Sequence, residues 1–351
     1  MKFSFVLAIV ILLLFSFRGV AGTHPAECRA PETETDTLSG FSVMQIAFLP
    51  WDETAGLPWR QVPGANLGVT SFEIIDSETL AFLADATHEI IVYNLVKQNI
   101  TGRIPVESAP RDFVYNSEMF YVLFDGKIIS YGLDGKETLI ERLPPELQGI
   151  MRIYYRDGET MLLHPSGNSL KFSKPSKSRV IEEIEGWPVN NHLSVKAGIT
   201  RSKSFKLTWV SEGDKSVGTI IHTPEKPAGV FVIGKTGNDL ALDVQSWISE
   251  NPVSVKRELV FIKMNQDHLG EVRHRIRVPD QYYVLTNKDF TIDSEGHLYH
   301  MIASPEGVFV FKITDAEPGS VPDDYPGFLK RKKYHFNDHL MKVDPAKNPE
   351  K

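Results

Sequence analysis

The feature that most constrains the fold is a repeat of short apolar runs in the first half of the chain. Between residues 70 and 106, four runs of strand length follow one another at 71–75, 79–84, 89–93 and 100–106. Each run is rich in β-branched and aromatic residues and is bounded by Asp, Ser, Asn or Gly, which is typical of strands and turns. Four strands joined by hairpins within about 37 residues have the size of one propeller blade.

The same order recurs along the chain. A second unit has runs at 111–115, 119–124, 127–131 and 137–141, with Asp-Gly pairs at 125–126 and 134–135 that favour tight hairpin turns. A third unit begins between 150 and 172, and regular order returns over 229–278. Between 180 and 223 the register blurs, although 205–210 and 217–222 have the pattern of strands. Counting the blurred stretch as one blade predicts six blades.

The final unit has three runs, at 289–292, 297–302 and 308–313, and an unassigned apolar run at 43–48 precedes the first blade. An N-terminal strand that completes the last blade would close the ring and remove its open edges. A pair of β-sandwiches rarely needs so many strands, and β-solenoid repeats are shorter and more regular. The sequence therefore predicts an all-β, six-bladed β-propeller of four-stranded antiparallel blades, closed by an N-terminal strand. Helix signals are scarce, and 243–250 is the best candidate.

The N-terminus has the three parts of a secretory signal peptide. Lys2 supplies positive charge, residues 3–17 are almost entirely apolar, and small residues follow, so cleavage is expected after Ala21 or Gly22. A retained membrane anchor is the alternative, but the apolar run is shorter than the roughly 20 residues that a spanning helix needs. We therefore expect a secreted or periplasmic protein with no transmembrane segment in the mature chain.

These observations divide the chain into a signal peptide (1–22), a flexible Pro/Glu/Thr-rich leader (23–42), the propeller (43–314) and a C-terminal tail (315–351). The only cysteine, Cys28, lies in the leader, so no intrachain disulfide can form and the fold depends on its core. The formal net charge of −7 argues against nucleic acid as the main partner. The basic run at 330–333 is interpreted as part of a solvated tail.

Several segments resemble the six-bladed propellers of the NHL/TolB-like kind. Residues 290–299 (FTIDSEGHLY) match best the loose signature of an apolar strand, Asp-x-x-Gly and then Asn/His-apolar-Tyr. Residues 80–94 and 119–131 also follow it, and 63–72 looks like the start of the first blade in exported bacterial propellers of uncharacterised function. The resemblance covers roughly 43–314 and implies the architecture. It implies no single function, because such propellers include hydrolases, lyases, lactonases and binding modules.

The sequence contains no Gly-x-Ser-x-Gly nucleophile elbow and no phosphate-binding glycine-rich loop. His297 and His300 are three apart on a predicted strand, so they point to opposite faces, and the His335/His339 pair lies in a tail without helical period. No catalytic residue, metal site or cofactor is therefore predicted. The alternative is Ca²⁺ held by carboxylate and amide oxygens from several blades, for which the weak candidates are Asp85, Asp125 and Asp293, with Asn238 or Asp289. Each Asp could equally cap a turn.

Ligand contacts in a binding module come from loops at strand ends, where aromatic and arginine side chains contribute most of the binding energy. Trp59, Arg111, Arg152 and Trp247 flank strands of different units and are the candidates. The loop that carries Trp51 and Trp59 could stack a sugar or peptide, or plug one end of the tunnel. We therefore expect a non-enzymatic module that binds a protein, peptide or glycan. The alternative is a divalent-cation-dependent tunnel hydrolase or lactonase.

Overall fold

The computed structural model describes residues 41–315 except for short gaps at 53, 64, 148, 151, 157–158, 165–166, 173–180, 191–192, 201–203, 212–213, 216–218, 224, 251–252, 265–268 and 280–282. The predicted signal peptide, Cys28, nearly all of the leader and the tail with its two histidines lie outside the described residues. The described part is all-β apart from one 3₁₀ turn at Pro145–Leu147. The predicted all-β class is confirmed.

The strands form six antiparallel blades, preceded by a closing strand and a short hairpin. The closing strand is β1 (Phe41–Pro50) and the hairpin is β2 (Arg60–Val62) with β3 (Ala65–Leu67). Blade 1 consists of β4 (Val69–Asp76), β5 (Thr79–Ala84), β6 (Glu89–Asn94) and β7 (Asn99–Pro105). Blade 2 consists of β8 (Asp112–Asn116), β9 (Met119–Phe124), β10 (Lys127–Gly132) and β11 (Glu137–Arg142). Blade 3 consists of β12 (Arg152–Arg156), β13 (Glu159–Leu163), β14 (Ser169–Phe172) and β15 (Ile181–Ile184).

The second half of the ring contains the longest strands. Blade 4 consists of β16 (Trp187–Asn190), β17 (Leu193–Ile199), β18 (Ser204–Ser211) and an outer strand in two pieces, β19 (Asp214–Lys215) and β20 (Thr219–His222), which both pair with β18. Blade 5 consists of β21 (Pro227–Thr236), β22 (Asp239–Glu250), β23 (Val253–Met264) and β24 (Leu269–Val278). Blade 6 consists of β25 (Phe290–Ile292), β26 (Leu298–Ser304), β27 (Gly307–Asp315) and β1.

The predicted ring closure is confirmed. Strand β1 pairs antiparallel with β27 from Phe41 opposite Asp315 to Pro50 opposite Gly307, with one bulge between Gln45 and Ala47. The first strand of the described chain thus completes the last blade as its outermost strand. The sequence indicated this strand because the apolar run at 43–48 lies outside the first blade and the final unit has only three runs.

The two faces of the ring are defined by the inner strands. The first strand of each blade lies next to the first strands of neighbouring blades, as contacts of β4 with β8 and β25, and of β8 with β12, show. We call the face at which the inner strands begin the upper face, and the face at which they end the lower face. Because β27 runs towards the lower face and β1 runs away from it, Phe41 and Asp315 both lie at the lower face.

The stretch that the sequence left blurred, 180–223, holds the outer strand of blade 3 and all of blade 4. The helix suggested for 243–250 is wrong, because these residues extend β22 and pair with β23 from Ser246 opposite Lys256 to Glu250 opposite Val253. Long antiparallel pairing outweighed the weak local helix signal, since strand formation depends on neighbours distant in sequence.

The core consists of buried apolar clusters, each lying between two adjacent blades. Five clusters join blades 6 and 1, 1 and 2, 2 and 3, 4 and 5, and 5 and 6. Fully buried rings such as Phe72, Phe113, Phe205 and Phe261 lie within them. Among the described residues, no such cluster joins blades 3 and 4. We call this junction the polar seam.

Candidate functional site

The four residues proposed as ligand contacts lie towards one face of the ring. Trp59 precedes β2, Arg111 precedes β8, and Arg152 is the first residue of β12, so all three are at the upper face. Trp247 lies in the final third of β22, which runs from the lower to the upper face. The sequence could not assign these faces, because the register of blade 4 was undefined and the position of Trp247 depended on whether 243–250 was a helix or a strand.

Arg111 is the most connected of the four. Its guanidinium forms an ion pair with Asp125 at 3.1 Å and donates to the carbonyl oxygen of Ile150 at 3.1 Å. Its own carbonyl oxygen accepts a hydrogen bond from the Asn287 side chain at 2.7 Å. Arg111 therefore links blade 2 to the segments that enter blades 3 and 6, and about a third of its side chain stays exposed at the upper face.

The segment that enters blade 6 crosses the upper ends of two inner strands. The backbone N–H groups of Asn287 and Lys288 donate to the carbonyl oxygen of Thr70, at 2.6 and 3.1 Å, and Lys288 forms a parallel bridge with Ser71. The segment therefore adds to the edge of β4 that faces the axis. This places Lys288 near the axis of the ring, below the upper face.

Lys288 is the centre of an axial charged cluster. Its ammonium lies 2.5 Å from Glu73 Oε1 and 3.2 Å from Asp112 Oδ1, donates to the carbonyl oxygen of Phe113 at 2.5 Å, and lies 5.3 Å from the centroid of the Phe113 ring. Thr291 donates to the other Glu73 oxygen at 3.0 Å. Three inner strands, those of blades 1, 2 and 6, thus meet at one cation.

The cluster contains two buried carboxylates and one buried cation, so it holds one negative charge in excess when all groups are ionised. Burial raises the pKa of Glu73 above its usual value, against the opposing effect of the Lys288 ammonium. Burial alone would lower the pKa of Lys288, but Asp112 and Glu73 hold it above its usual value. The Glu73 carboxyl therefore keeps its proton to a higher pH than an exposed glutamate does, even though a cation pairs with it.

A second buried network joins blades 5 and 6. The Arg257 guanidinium donates to both oxygens of Asp243, at 3.2 and 2.8 Å, and forms an ion pair with Asp289 at 2.5 Å. Burial alone would raise the pKa of Asp289, but Arg257 and His300 hold it far below its usual value. Burial lowers the pKa of His300. The network is an inter-blade connection beside the axial cluster.

The carboxylates considered as calcium ligands are not brought together. Asp85 and Asp125 lie in the turns between the second and third strands of blades 1 and 2, at the upper face, and Asp125 is paired with Arg111. Asp293 lies in the turn between the first and second strands of blade 6, at the lower face. Asn238 is also at the lower face, in the β21–β22 turn, and Asp289 is bound to Arg257. A single ion could not contact these carboxylates from both faces.

Asp293 organises its own turn. It accepts hydrogen bonds from the backbone of Glu295 and His297 and from the side chains of His297 and Tyr299, each at 2.8–2.9 Å. Although burial opposes the shift, these bonds hold its pKa below the usual value. One oxygen or nitrogen atom from each of Asp293, Glu295 and His297 could approach one ion, since these atoms lie within 4.8 Å of one another. The bonds that Asp293 accepts are those of a turn cap.

The tryptophan loop covers the junction of blades 6 and 1. The Trp51 indole donates to the carbonyl oxygen of Ser304 at 2.6 Å, and the Trp59 ring stacks on Tyr283 with centroids 5.8 Å apart. Leu57 between them is fully buried in the apolar cluster of blades 6 and 1. The described contacts of this loop are therefore with the rim of that junction, and Trp59 keeps part of its ring at the surface.

Sequence reasoning missed Glu73, Lys288, Asp243 and Arg257. A signal for two of them exists, because Glu73 and Asp243 each stand between two apolar residues of a strand. A charge at such a position is expensive unless it is paired, so it indicates a partner. The sequence does not indicate which cation is the partner, because the two members of the Glu73–Lys288 pair are 215 residues apart.

Searches against models of protein families find no match for this chain, and none of the curated proteins matches it by sequence. Several solved structures resemble its fold. Kuenenia stuttgartiensis hydrazine synthase is 15% identical, with 80% of this chain and 83% of that chain covered and a TM-score of 0.46. A Bacteroides fragilis protein provisionally described as exported is 10% identical (81% and 98% covered, TM-score 0.46). Staphylococcus aureus virginiamycin B lyase is 12% identical (74% and 99% covered, TM-score 0.40).

These likenesses concern the propeller fold. The identities are too low, and the neighbours too varied, for any of their activities to be carried over. In the described part of the chain there is also no helix with the length and apolar character needed to cross a bilayer.

Proposed function

We propose that this chain is an exported β-propeller that acts as a binding module and takes a protein, peptide or glycan ligand at its upper face. The observation that carries the proposal is that Trp59, Arg111, Arg152 and Trp247, which come from different blades and loops, all lie towards that face. Aromatic and arginine side chains supply most of the energy in binding interfaces, and loops at strand ends are where rigid scaffolds place them.

The buried charged groups support a binding role over a catalytic one. Glu73, Asp112 and Asp289 direct their oxygens to cations and donors of neighbouring blades. A general acid or base must reach the substrate within hydrogen-bond distance. These carboxylates bind cations of the protein itself, and the proposal includes no cofactor.

The proposal also includes export and an NHL/TolB-like origin. Their support is the charge, apolar core and small-residue order of residues 1–22 and the turn sequence at 290–299. Calcium-dependent hydrolysis or lactone cleavage in the tunnel is the competing function, and nucleic acid is not among the proposed partners.

Alanine at each upper-face residue tests the binding role. With the natural ligand, identified by cross-linking, we expect Trp59→Ala, Arg111→Ala, Arg152→Ala or Trp247→Ala to weaken binding, with at least one variant losing about 2 kcal/mol or more, because interface energy concentrates in a few such anchors. Isothermal titration calorimetry measures the loss. Val96→Ala, at an exposed turn of the lower face, is the matched control and should bind normally.

The competing function has its own signature. If all four alanine variants bind normally, while elemental analysis finds calcium and Asp85→Asn or Asp293→Asn removes both calcium and function, the chain is a cation-dependent enzyme and the binding proposal is wrong.

Export predicts a defined mature N-terminus. We expect intact-mass and N-terminal analysis of the exported protein to find Gly22 or Thr23 as the first residue, because small residues from 19 to 22 follow the apolar core. Replacing Ala21 and Gly22 with leucine should leave the precursor uncleaved. Recovery of soluble cytoplasmic protein with an intact Met1 would contradict the assignment.

A further inference from the structure

The polar seam differs from the other junctions in what blade 4 presents to it. Leu193 and Val195 of β17 belong to the apolar cluster with blade 5. Because strand side chains alternate, the intervening positions face blade 3, and these are Ser194, Lys196 and Gly198. On β18 the same argument places Lys206 and Thr208 on that side, since Phe205, Leu207 and Trp209 belong to the cluster with blade 5.

Blade 3 contributes an arginine to the same seam. Ile153 of β12 packs in the cluster with blade 2, so its neighbours Arg152 and Tyr154 point the other way, towards blade 4. Tyr154 stacks on Trp187 of blade 4 with ring centroids 4.0 Å apart, which confirms the direction. The seam is thus held by one aromatic stack and by polar contacts, such as the bond from Lys196 to Asn168 at 3.2 Å.

Three cations that face this seam, Arg152, Lys196 and Lys206, have no carboxylate partner among the described residues. Several half-buried cations elsewhere in the ring are paired with carboxylates, as in Arg103–Glu89, Arg111–Asp125, Lys127–Glu107 and Lys256–Glu258. Arg152 and Lys196 are also half-buried, but among the described residues neither has a carboxylate oxygen within 4.0 Å, and the same holds for the exposed Lys206. A half-buried cation without a partner carries an uncompensated desolvation cost, which an incoming anion would remove.

The seam is open to solvent at its upper end, where Gly198 is exposed. A Cβ atom added to Gly198 would meet no atom within 4 Å, and Gly198 lies directly opposite Lys206 in the sheet. Arg152, at the start of β12, is at the same upper end. Arg152, Lys196 and Lys206 thus all face the seam, and Gly198 leaves room at its upper end for an anionic group.

We propose that the polar seam between blades 3 and 4 is a binding cleft for a short acidic peptide segment, whose carboxylates pair with Arg152, Lys196 and Lys206. A site of this kind rests on the proposed function and gives the ligand chemistry for one sector of the upper face. A carboxylate matches the planar fork of arginine and the point charge of lysine. A long polyanion such as nucleic acid does not fit, because the chain is acidic overall with a net charge of −7.

The probe for this cleft is a hexaglutamate peptide, with hexaglutamine as the uncharged control, titrated into the full mature chain by calorimetry. We expect hexaglutamate to bind with one peptide per chain and hexaglutamine not to bind. Raising the salt from about 0.05 M to about 0.5 M should weaken binding, because the Debye length becomes shorter. Arg152→Met and Lys196→Met should each weaken binding at least tenfold, Lys206→Met less, and Lys196→Arg should keep most of it.

Lys312→Met is the matched control. Lys312 is a half-buried lysine on blade 6, with its ammonium over the Tyr299 ring, so its removal takes away the same charge at a distant place. It should bind the peptide as the unmodified chain does. Thermal unfolding of every variant establishes that the fold is retained.

Two results would overturn the inference. One is the absence of hexaglutamate binding at about 0.05 M salt. The other is an equal loss of binding in Lys196→Met and Lys312→Met, which would show that binding depends on the net charge of the chain and not on the cleft. Neither result removes the upper-face function, which Trp59→Ala and Trp247→Ala test with the natural ligand. Conversely, if Trp59→Ala and Trp247→Ala bind the natural ligand normally, the upper-face function is wrong and the hexaglutamate titration still tests the cleft by itself.

Discussion

A chain that begins at Trp51 should be less stable than one that begins at Leu38 by about 5 kcal/mol or more, which is of the order of the whole stability of a typical domain. The shorter chain lacks β1, and with it the burial of Phe41, Val43 and Leu49 and the pairing with β27. Burying one such side chain contributes about 1.5–3 kcal/mol. Urea unfolding followed by tryptophan fluorescence measures the difference.

Single substitutions in β1 keep this prediction testable if the shorter chain does not fold. Leu49→Ala should cost about 2–5 kcal/mol, because Leu49 is almost fully buried in the cluster of blades 6 and 1. Met44→Ala, on the same strand but more than half exposed, should change stability by less than about 0.5 kcal/mol. Equal unfolding midpoints for Leu49→Ala and Met44→Ala would show that β1 does not hold the ring closed.

Lys288→Met should cost about 3–5 kcal/mol at pH 7, because it leaves the carboxylates of Glu73 and Asp112 buried without their cation. The loss should be smaller at pH 5, where Glu73, whose pKa is raised by burial, takes up a proton more readily. Chemical unfolding of the variant and the unmodified chain at both pH values gives the comparison. The triple variant with Glu73→Gln and Asp112→Asn should recover most of the loss, since it removes the unpaired charges.

The direction of this pH dependence follows from the shifts in the unmodified chain. The pKa of Glu73 is raised in the folded state, so its favourable contribution is present below pH 4.5 and is lost as the pH rises through the folded-state value. The pKa of Lys288 is also raised, so the contribution of its charge persists until the pH exceeds 10.5 and is lost above that. A Lys288→Met loss that is the same at pH 5 and pH 7, or no larger than that of Lys312→Met, would contradict the charged-cluster explanation.

The sequence predicted the parts of the fold that depend on local chemistry. Alternating apolar residues and Asp-Gly turns gave the blades, and Gly126 and Gly135 have the positive φ angles, 73° and 79°, that such turns require. Blade 4 could not be read because its first strand, β16, has only four residues and pairs with β17 through a register shift. Its outer strand is also split, which removes the regular spacing of turns.

The candidate site was less predictable, because it depends on contacts between blades. Trp59, Arg111 and Arg152 are predicted because they flank strands, and a position beside a strand does not indicate which residues lie close together in the fold. The Glu73–Lys288 pair is distant in sequence, and the three seam cations are recognised only because no carboxylate of the described residues pairs with them. Such information exists only once the strands have been placed in a ring.

The position of Phe41 opposite Asp315 at the lower face has a practical consequence for how the molecule can be attached to anything else. A fusion partner, affinity tag or surface linkage that is joined directly to residue 41 or residue 315 starts from that same face. The loops with Trp59, Arg111 and Arg152 then point away from the point of attachment. A sensor surface coupled through residue 41 or through residue 315 would therefore display the upper face to solution. The two couplings should give the same affinity for an upper-face ligand.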